Sequence, residues 1–278
     1  MTTPSYEELE SFRAFEQSGW NTTAAKYDEF FGGVTPVFCE ALLDAAGVNS
    51  DMRVLDIATG PGYVAGAAAN RGADALGIDF AANMVAEARK LNPKVAFQEG
   101  DAEDLAFPDA SFDAVVISFG MLHFSRPEAV LAEVLRVLQP GGSIAFTVWG
   151  KPQGGAAGLG ILLRAIETHG SMDVGLPPGP PLFRFSDHNE SRKTLLDAGF
   201  VDPLITDLPH TWELSSYDVL IDSFREAGVR AGELLRSQNQ EALERIVGFV
   251  RDELKSYDRE GIIGVPMGAV LASANKPT

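Results

Sequence analysis

Between Arg53 and Gly150, short apolar runs alternate with stretches whose apolar residues recur every three or four positions. That alternation predicts βαβ units built on a parallel sheet. "RVLDIA" reads as strand one and "GYVAGAAANRG" as the helix after it, closed by Gly72. "ALGIDF" reads as strand two, and "AANMVAEARKLNP" as a helix stopped by Pro93. "VAFQEGDAEDL" predicts strand three with an acidic turn, and the strongly apolar "FDAVVISFGML" a fourth strand at the sheet centre. In "RPEAVLAEVLRVLQPGG", Val130, Val134, Val137 and Leu138 share one helical face, with Pro140 and two glycines ending the helix. "SIAFTVWG" is strand five.

After Gly150 the pattern changes. Two Gly/Pro-rich stretches, "KPQGGAAGLG" and "GLPPGPPLFRF", bracket a helical "ILLRAIETHG". "SRKTLLDAGF" predicts a further sheet-flanking helix and "VDPLITDLPHTWEL" a strand. Two polar-faced helices, about Tyr217 to Arg236 and Glu241 to Tyr257, precede a last apolar run, "GVPMGAVLASA". The order is that of a sixth strand, a helical insertion and a closing seventh strand.

Length and composition narrow the classes. The 278 residues suffice for one enlarged domain or a core with a smaller insert, and 45% apolar with 22% charged residues is globular. A net charge of −17 repels phosphate backbones and anionic membrane surfaces, so neither nucleic acid nor membrane is an expected partner. Cys39 is the only cysteine, which excludes an intrachain disulfide. "MTTPSYEELE" lacks the features of a secretory leader and no apolar stretch is long enough to span a bilayer, so a cytoplasmic location is expected.

The stretch "VLDIATGPGYVA" carries the first chemistry. Gly60, Gly62 and Ala65 fit G-x-G-x-x-A, a form of the dinucleotide fingerprint, yet the same turn could wrap S-adenosylmethionine. Asp56 ends strand one, where a carboxylate suits a ligand's ammonium group and would repel a pyrophosphate. Asp79 ends strand two, 23 positions later, and can take ribose hydroxyls under either reading. Asp101, after strand three, can accept from an adenine amine while the Ala102 or Glu103 backbone addresses the ring; as a turn-former it could also be structural. Three acids at successive strand ends fit an adenosyl sulfonium better than NAD.

With "VLDIATGPG", "GIDFAANMVAEAR", "QEGDAEDLAF", "FDAVVISFGMLHF" and "LRVLQPGGSIAFTVW" in order, the chain resembles class I S-adenosylmethionine-dependent methyltransferases, close to the ubiquinone and menaquinone group. The resemblance implies an α/β, Rossmann-like sheet of seven strands, parallel except for strand seven, with helical substrate-covering insertions. It implies a helical cover over 1–50, a donor-binding core over 51–150, and the rest of the sheet with its covering insertions over 151–278. It also implies that Asp56, Ala58, Gly60 and Gly62 hold the methionine portion, Asp79, Phe80 and Met84 ribose and adenine, and Asp101 and Ala102 adenine, with Ser118 at the end of strand four beside them. Phe80 and Met84 could equally be core. Ala58 stands where many members have glycine, and Ala81 where many have serine.

Methyl transfer from a sulfonium is an in-line displacement that depends on placing the acceptor with water excluded. A hydroxyl or amine acceptor must also lose a proton, and His123, in "SFGMLHF" after strand four, is the candidate base, although it could simply pack or cap the next helix. Glu167 is a candidate for stabilising a cation in carbon methylation, and His169, His210 and Trp212 are candidate acceptor contacts. Trp20 and Tyr27, on a helical stretch before strand one, could face the sulfonium or equally pack as core, whereas Phe30 and Phe31 read as core. Histidines and acids do not recur at ligand spacing, so a metal is not expected. The charged helices of 217–257 read as a lid or a homodimer face. The lead expectation is O- or C-methylation of a small apolar or aromatic metabolite, of the kind met in secondary metabolite biosynthesis. The alternatives are an NAD-dependent oxidoreductase using the same turn, and a non-catalytic regulator that keeps the fold.

Overall fold

The computed structural model describes residues 5–278; the first four residues of the stretch read for a leader, and of the 1–50 cover, lie outside it. A long first helix, α1 (Tyr6–Phe31), opens with a capping box between Ser5 and Glu8. The chain continues through α2 (Cys39–Ala45), β1 (Arg53–Ile57), α3 (Tyr63–Asn70), β2 (Asp74–Asp79), α4 (Ala82–Leu91), β3 (Ala96–Glu99), β4 (Phe112–Ser118), α5 (Pro127–Val137) and β5 (Leu138–Trp149). Then come α6 (Ala157–His169), α7 (His188–Asp197), β6 (Val201–Leu208), β7 (Thr211–Leu214), α8 (Val219–Ala227), α9 (Arg230–Arg236), α10 (Gln240–Leu254), β8 (Asp258–Arg259), β9 (Ile262–Pro266) and β10 (Ala269–Asn275).

Seven strands form one sheet in the order β3-β2-β1-β4-β5-β10-β6, with β10 antiparallel to both neighbours and the remaining pairs parallel. The expected fold is therefore present. Strands β1 and β4 are apolar on both faces because helices cover both. Asp56 lies in register with Gly77 on one side and Val116 on the other, so successive loops leave the sheet at one edge. That edge is where ligands bind in an open α/β sheet.

Four segments differ from the pattern-based reading. The strand expected over "VDPLITDLPHTWEL" is two strands, because Pro209 has no N–H to continue a ladder and the His210 carbonyl instead accepts from Met267. β6 joins the main sheet, while β7 pairs with β9 in a three-stranded sheet β7-β9-β8. The last apolar run divides likewise into β9 and β10. The helix expected from Tyr217 to Arg236 breaks at Gly228 into α8 and α9, and Pro140 falls inside β5, which starts immediately after α5. Helices α6, α8, α9 and α10 and the small sheet share an apolar core of their own, which α1 joins through Phe31. No helix among the described residues is long and apolar enough to cross a membrane.

Candidate active site

The turn from β1 into α3 is built from backbone conformations that side chains disfavour. Gly60 has φ 52° and Gly62 φ 83°, where a Cβ on Gly62 would lie 2.7 Å from the Phe97 ring. A Cβ on Gly60 would meet nothing within 4 Å, since it would enter the cavity that this turn borders. The Asp56 carboxylate ties the turn together: its Oδ2 accepts from the Thr59 hydroxyl at 2.6 Å and from the Ala65 N–H at 3.0 Å. Burial pushes its pKa up to about 7 despite those bonds. Here the structure corrects the sequence reading. Asp56 is 1% exposed and does not line the cavity, so its carboxylate shapes the turn and is not presented to a ligand's ammonium group. Gly62 also lies behind the cavity wall, its role being close packing.

The cavity encloses about 990 Å³ counting its open mouth. Asp79 at the tip of β2 holds its floor, accepting from Gly60 N–H and Ala81 N–H, both at 2.9 Å. Each carboxylate oxygen retains a lone pair for a hydroxyl. Burial pushes the Asp79 pKa up to about 6. Asp101 stands one strand further along and accepts from Arg13 at 2.6 Å and from the Glu103 N–H at 3.0 Å. Ala58, Phe80, Met84, Ala102 and Ser118 complete the wall. Alanine at position 81 keeps its N–H on Asp79, so the absent serine hydroxyl leaves that bond intact.

Helix α1 roofs the cavity with Trp20 and Tyr27, whose rings meet edge to face with centroids 5.7 Å apart. Its polar face fastens it down. Gln17 donates to the Phe80 carbonyl at 2.7 Å, and Asn21 and Asn83 bond twice, at 3.0 and 2.9 Å. Burial pushes the Tyr27 phenol up to about 12, leaving it a neutral group at the roof. His123 enters from the loop after β4 and lines the same wall.

The other candidates lie elsewhere. Glu167 borders a separate cleft with Pro152, Arg164 and Tyr257, and His169 packs its ring on Phe249 with centroids 5.3 Å apart. α6 carries both away from the α1-roofed cavity. His210 borders another cleft and packs edge to face on Phe38 at 5.6 Å, with burial holding its pKa below the usual value. Trp212 is core, facing Phe31 at 6.2 Å, because β7 belongs to the small sheet. Arg13, Glu16 and Gln17 were not singled out in the sequence, nor was Phe119, which lines the cavity beside Ser118. The spacing 13, 16, 17, 20 on one helical face was the available signal.

Two carboxylates at neighbouring strand tips, a glycine turn and an aromatic roof thus line one cavity. Residues 55–146 match the family model described as a methyltransferase domain. Over this segment the chain is similar to methyltransferase domains. Over 120 residues the chain is 42% identical to the demethylmenaquinone methyltransferase of Beutenbergia cavernae, covering 43% of this chain and 50% of that one. Over 140 residues it is 35% identical to the ubiquinone/menaquinone biosynthesis C-methyltransferase of Dinoroseobacter shibae, covering 46% and 56%. The chain thus spans about half the length of the curated relatives it matches. The phosphoethanolamine N-methyltransferase 2 of Haemonchus contortus, solved with S-adenosyl-L-methionine, superposes with a TM-score of 0.60 at 20% identity over 96% of this chain and 60% of that one. A 4+2 cyclase superposes with a TM-score of 0.51 at 21% identity over 87% and 81%. These two likenesses show the fold alone, and the cyclase illustrates that the fold serves more than one reaction.

Proposed function

We propose that this chain binds S-adenosylmethionine in the α1-roofed cavity and transfers its methyl group to a small apolar or aromatic acceptor. The observation that carries the proposal is that Asp79 and Asp101 line one cavity with Phe80 and Met84 under an aromatic roof. The bound donor supplies an electrophilic methyl group. Asp79 orients the ribose, Asp101 and the Ala102 backbone the adenine, and the turn at Ala58–Gly60 admits the methionine portion. Trp20, Tyr27 and Phe119 exclude water and favour a flat, apolar acceptor, as ligand sites generally do. Acceptors of the quinone-precursor type agree with the names of the relatives matched over this core. A role for Asp101 in the cavity has no counterpart in the NAD reading.

Calorimetry with S-adenosylhomocysteine tests the donor site. Micromolar binding is expected, with Asp79→Ala weakening it by about 100-fold, the loss of two charge-assisted hydrogen bonds. Unchanged affinity in that variant, or fluorescence enhancement of reduced nicotinamide by the unsubstituted protein, would overturn the proposal. A gain of one methyl group in a hydroxylated aromatic panel, read by mass, tests the transfer.

A further inference from the structure

His123 Nδ1 lies 2.9 Å from Oε2 of Glu16, and the Trp20 indole nitrogen donates to the same oxygen at 3.1 Å. Glu16 is completely buried, on a helix that reaches His123 across 107 positions of chain. A carboxylate accepts and does not donate, so the imidazole proton sits on Nδ1, and in the neutral ring Nε2 carries a lone pair. Nε2 makes no hydrogen bond among the described residues, and the side chain keeps 19% exposure on the cavity wall. The Trp20 ring meets the imidazole edge to face with centroids 4.8 Å apart and fixes its plane.

This arrangement is expensive as mere packing. Glu16 Oε1 is buried with no partner among the described residues, and an unsatisfied buried acceptor costs roughly 1–3 kcal/mol. A leucine would fill the position without that cost. The other charges that bear on the pair are Asp79, whose carboxylate feels His123, and Arg230, whose guanidinium feels Glu16 without forming an ion pair. A buried carboxylate that orients a histidine over a reaction cavity stabilises the imidazolium formed when that histidine accepts a proton.

We infer that Glu16 is a positioning residue that holds His123 with Nδ1 protonated and Nε2 ready to take a proton, so that the acceptor is a phenolic or enolic hydroxyl compound. The inference rests on the methyl-transfer reading above. In the step, the acceptor's O–H bond breaks and its proton passes to His123 Nε2. The electron pair left on the acceptor forms the new bond to the methyl carbon at oxygen or at the activated ring carbon, and the sulfur–methyl bond breaks with its pair kept on sulfur. For methylation at carbon, the ring proton is lost to water as aromaticity returns, and the resulting phenolate oxygen takes its proton back from the His123 imidazolium. For methylation at oxygen the imidazolium gives its proton to solvent, so one proton leaves in either case and no oxidant or further reactant is required.

Nitrogen-15 NMR of histidine-labelled protein tests the pair without any acceptor. With 4 histidines in the chain, His123 can be assigned from a His123→Gln sample. In buffer alkaline enough to keep the rings neutral, His123 is expected as the Nδ1–H tautomer, and Glu16→Leu should return it to the Nε2–H form preferred in water. An Nε2–H tautomer in the unsubstituted protein overturns the inference, and that result does not depend on any variant folding. With simple phenols, naphthols and hydroquinones as acceptors, Glu16→Gln should lower kcat by about 100-fold. Glu16→Asp should recover part of that loss, and affinity for S-adenosylhomocysteine should stay within threefold. Weakened donor binding with kcat retained would show that Glu16 only fastens α1, and would sink the inference. Failure of the unsubstituted protein to bind S-adenosylhomocysteine would instead sink the donor reading, separately from the tautomer result.

Discussion

Ala58 holds its backbone at φ 53° and Phe119 at φ 54°, both in the left-handed region and both on the cavity wall. A side chain there costs roughly 1–2 kcal/mol, and such cost is characteristic of sites where a loop must present its backbone. Relatives' glycine at position 58 was noted from the sequence alone, but only the structure shows that the alanine is strained. Ala58→Gly is therefore expected to stabilise the protein by about 0.5–1 kcal/mol, the left-handed penalty less the extra entropy of glycine in the unfolded chain. A urea titration checks it; a lower midpoint would mean that the methyl group's packing outweighs the strain. Asp79 and Asp101 were legible as cavity residues because each stands at or just beyond the end of a predicted strand. Asp56 stands near the end of one too, and nothing in its neighbourhood announced that Thr59 and Ala65 would occupy its Oδ2.

Helix α1 was likewise only partly legible. Its helical character and aromatic residues were evident in the sequence, whereas its anchoring was not. Arg13 reaches Asp101 across 88 positions and Glu16 reaches His123 across 107. Gly19 sits in the middle of the helix, where glycine costs about 1 kcal/mol relative to alanine. A Cβ there would lie 2.4 Å from a Val229 methyl carbon, and Val229 is buried and stiff. Glycine thus lets α1 approach the segment leading into α9. Gly19→Ala should improve helix propensity yet lower stability by about 1 kcal/mol net, since overpacking costs roughly 1–3 kcal/mol. Thermal unfolding decides the sign. A rise in Tm would show that Val229 yields and that the contact does not set the position of α1.

Across the whole molecule, two buried acids near the ends of β1 and β2 couple folding to pH. A free aspartate loses its proton near pH 4, while folded Asp56 keeps it to about 7 and Asp79 to about 6, in both cases chiefly through burial. Between those limits the folded chain binds more protons than the unfolded one, so this contribution to stability is present at pH 4 and is lost as pH rises toward 7. Asp56→Asn keeps an oxygen for Thr59 and Ala65 but does not ionise. Its Tm relative to the unsubstituted protein should accordingly rise between pH 5 and pH 8. A difference that stays constant over that range would show that Asp56 does not titrate in it.

The alternation of apolar runs and helical periods was enough to determine a parallel α/β core, the succession of its elements through β5 and the carboxylates at two strand tips. These depend on local period and on the chain's direct passage from strand to helix, which a sequence displays. The division of 201–214 and 264–274 between two sheets, the removal of Glu167, His169, His210 and Trp212 from the cavity, and the meeting of Glu16 with His123 were decided by the tertiary structure. Each depends on which distant surfaces pack together, and a short apolar strand or a charged helix face has the same local pattern whichever partner it finds.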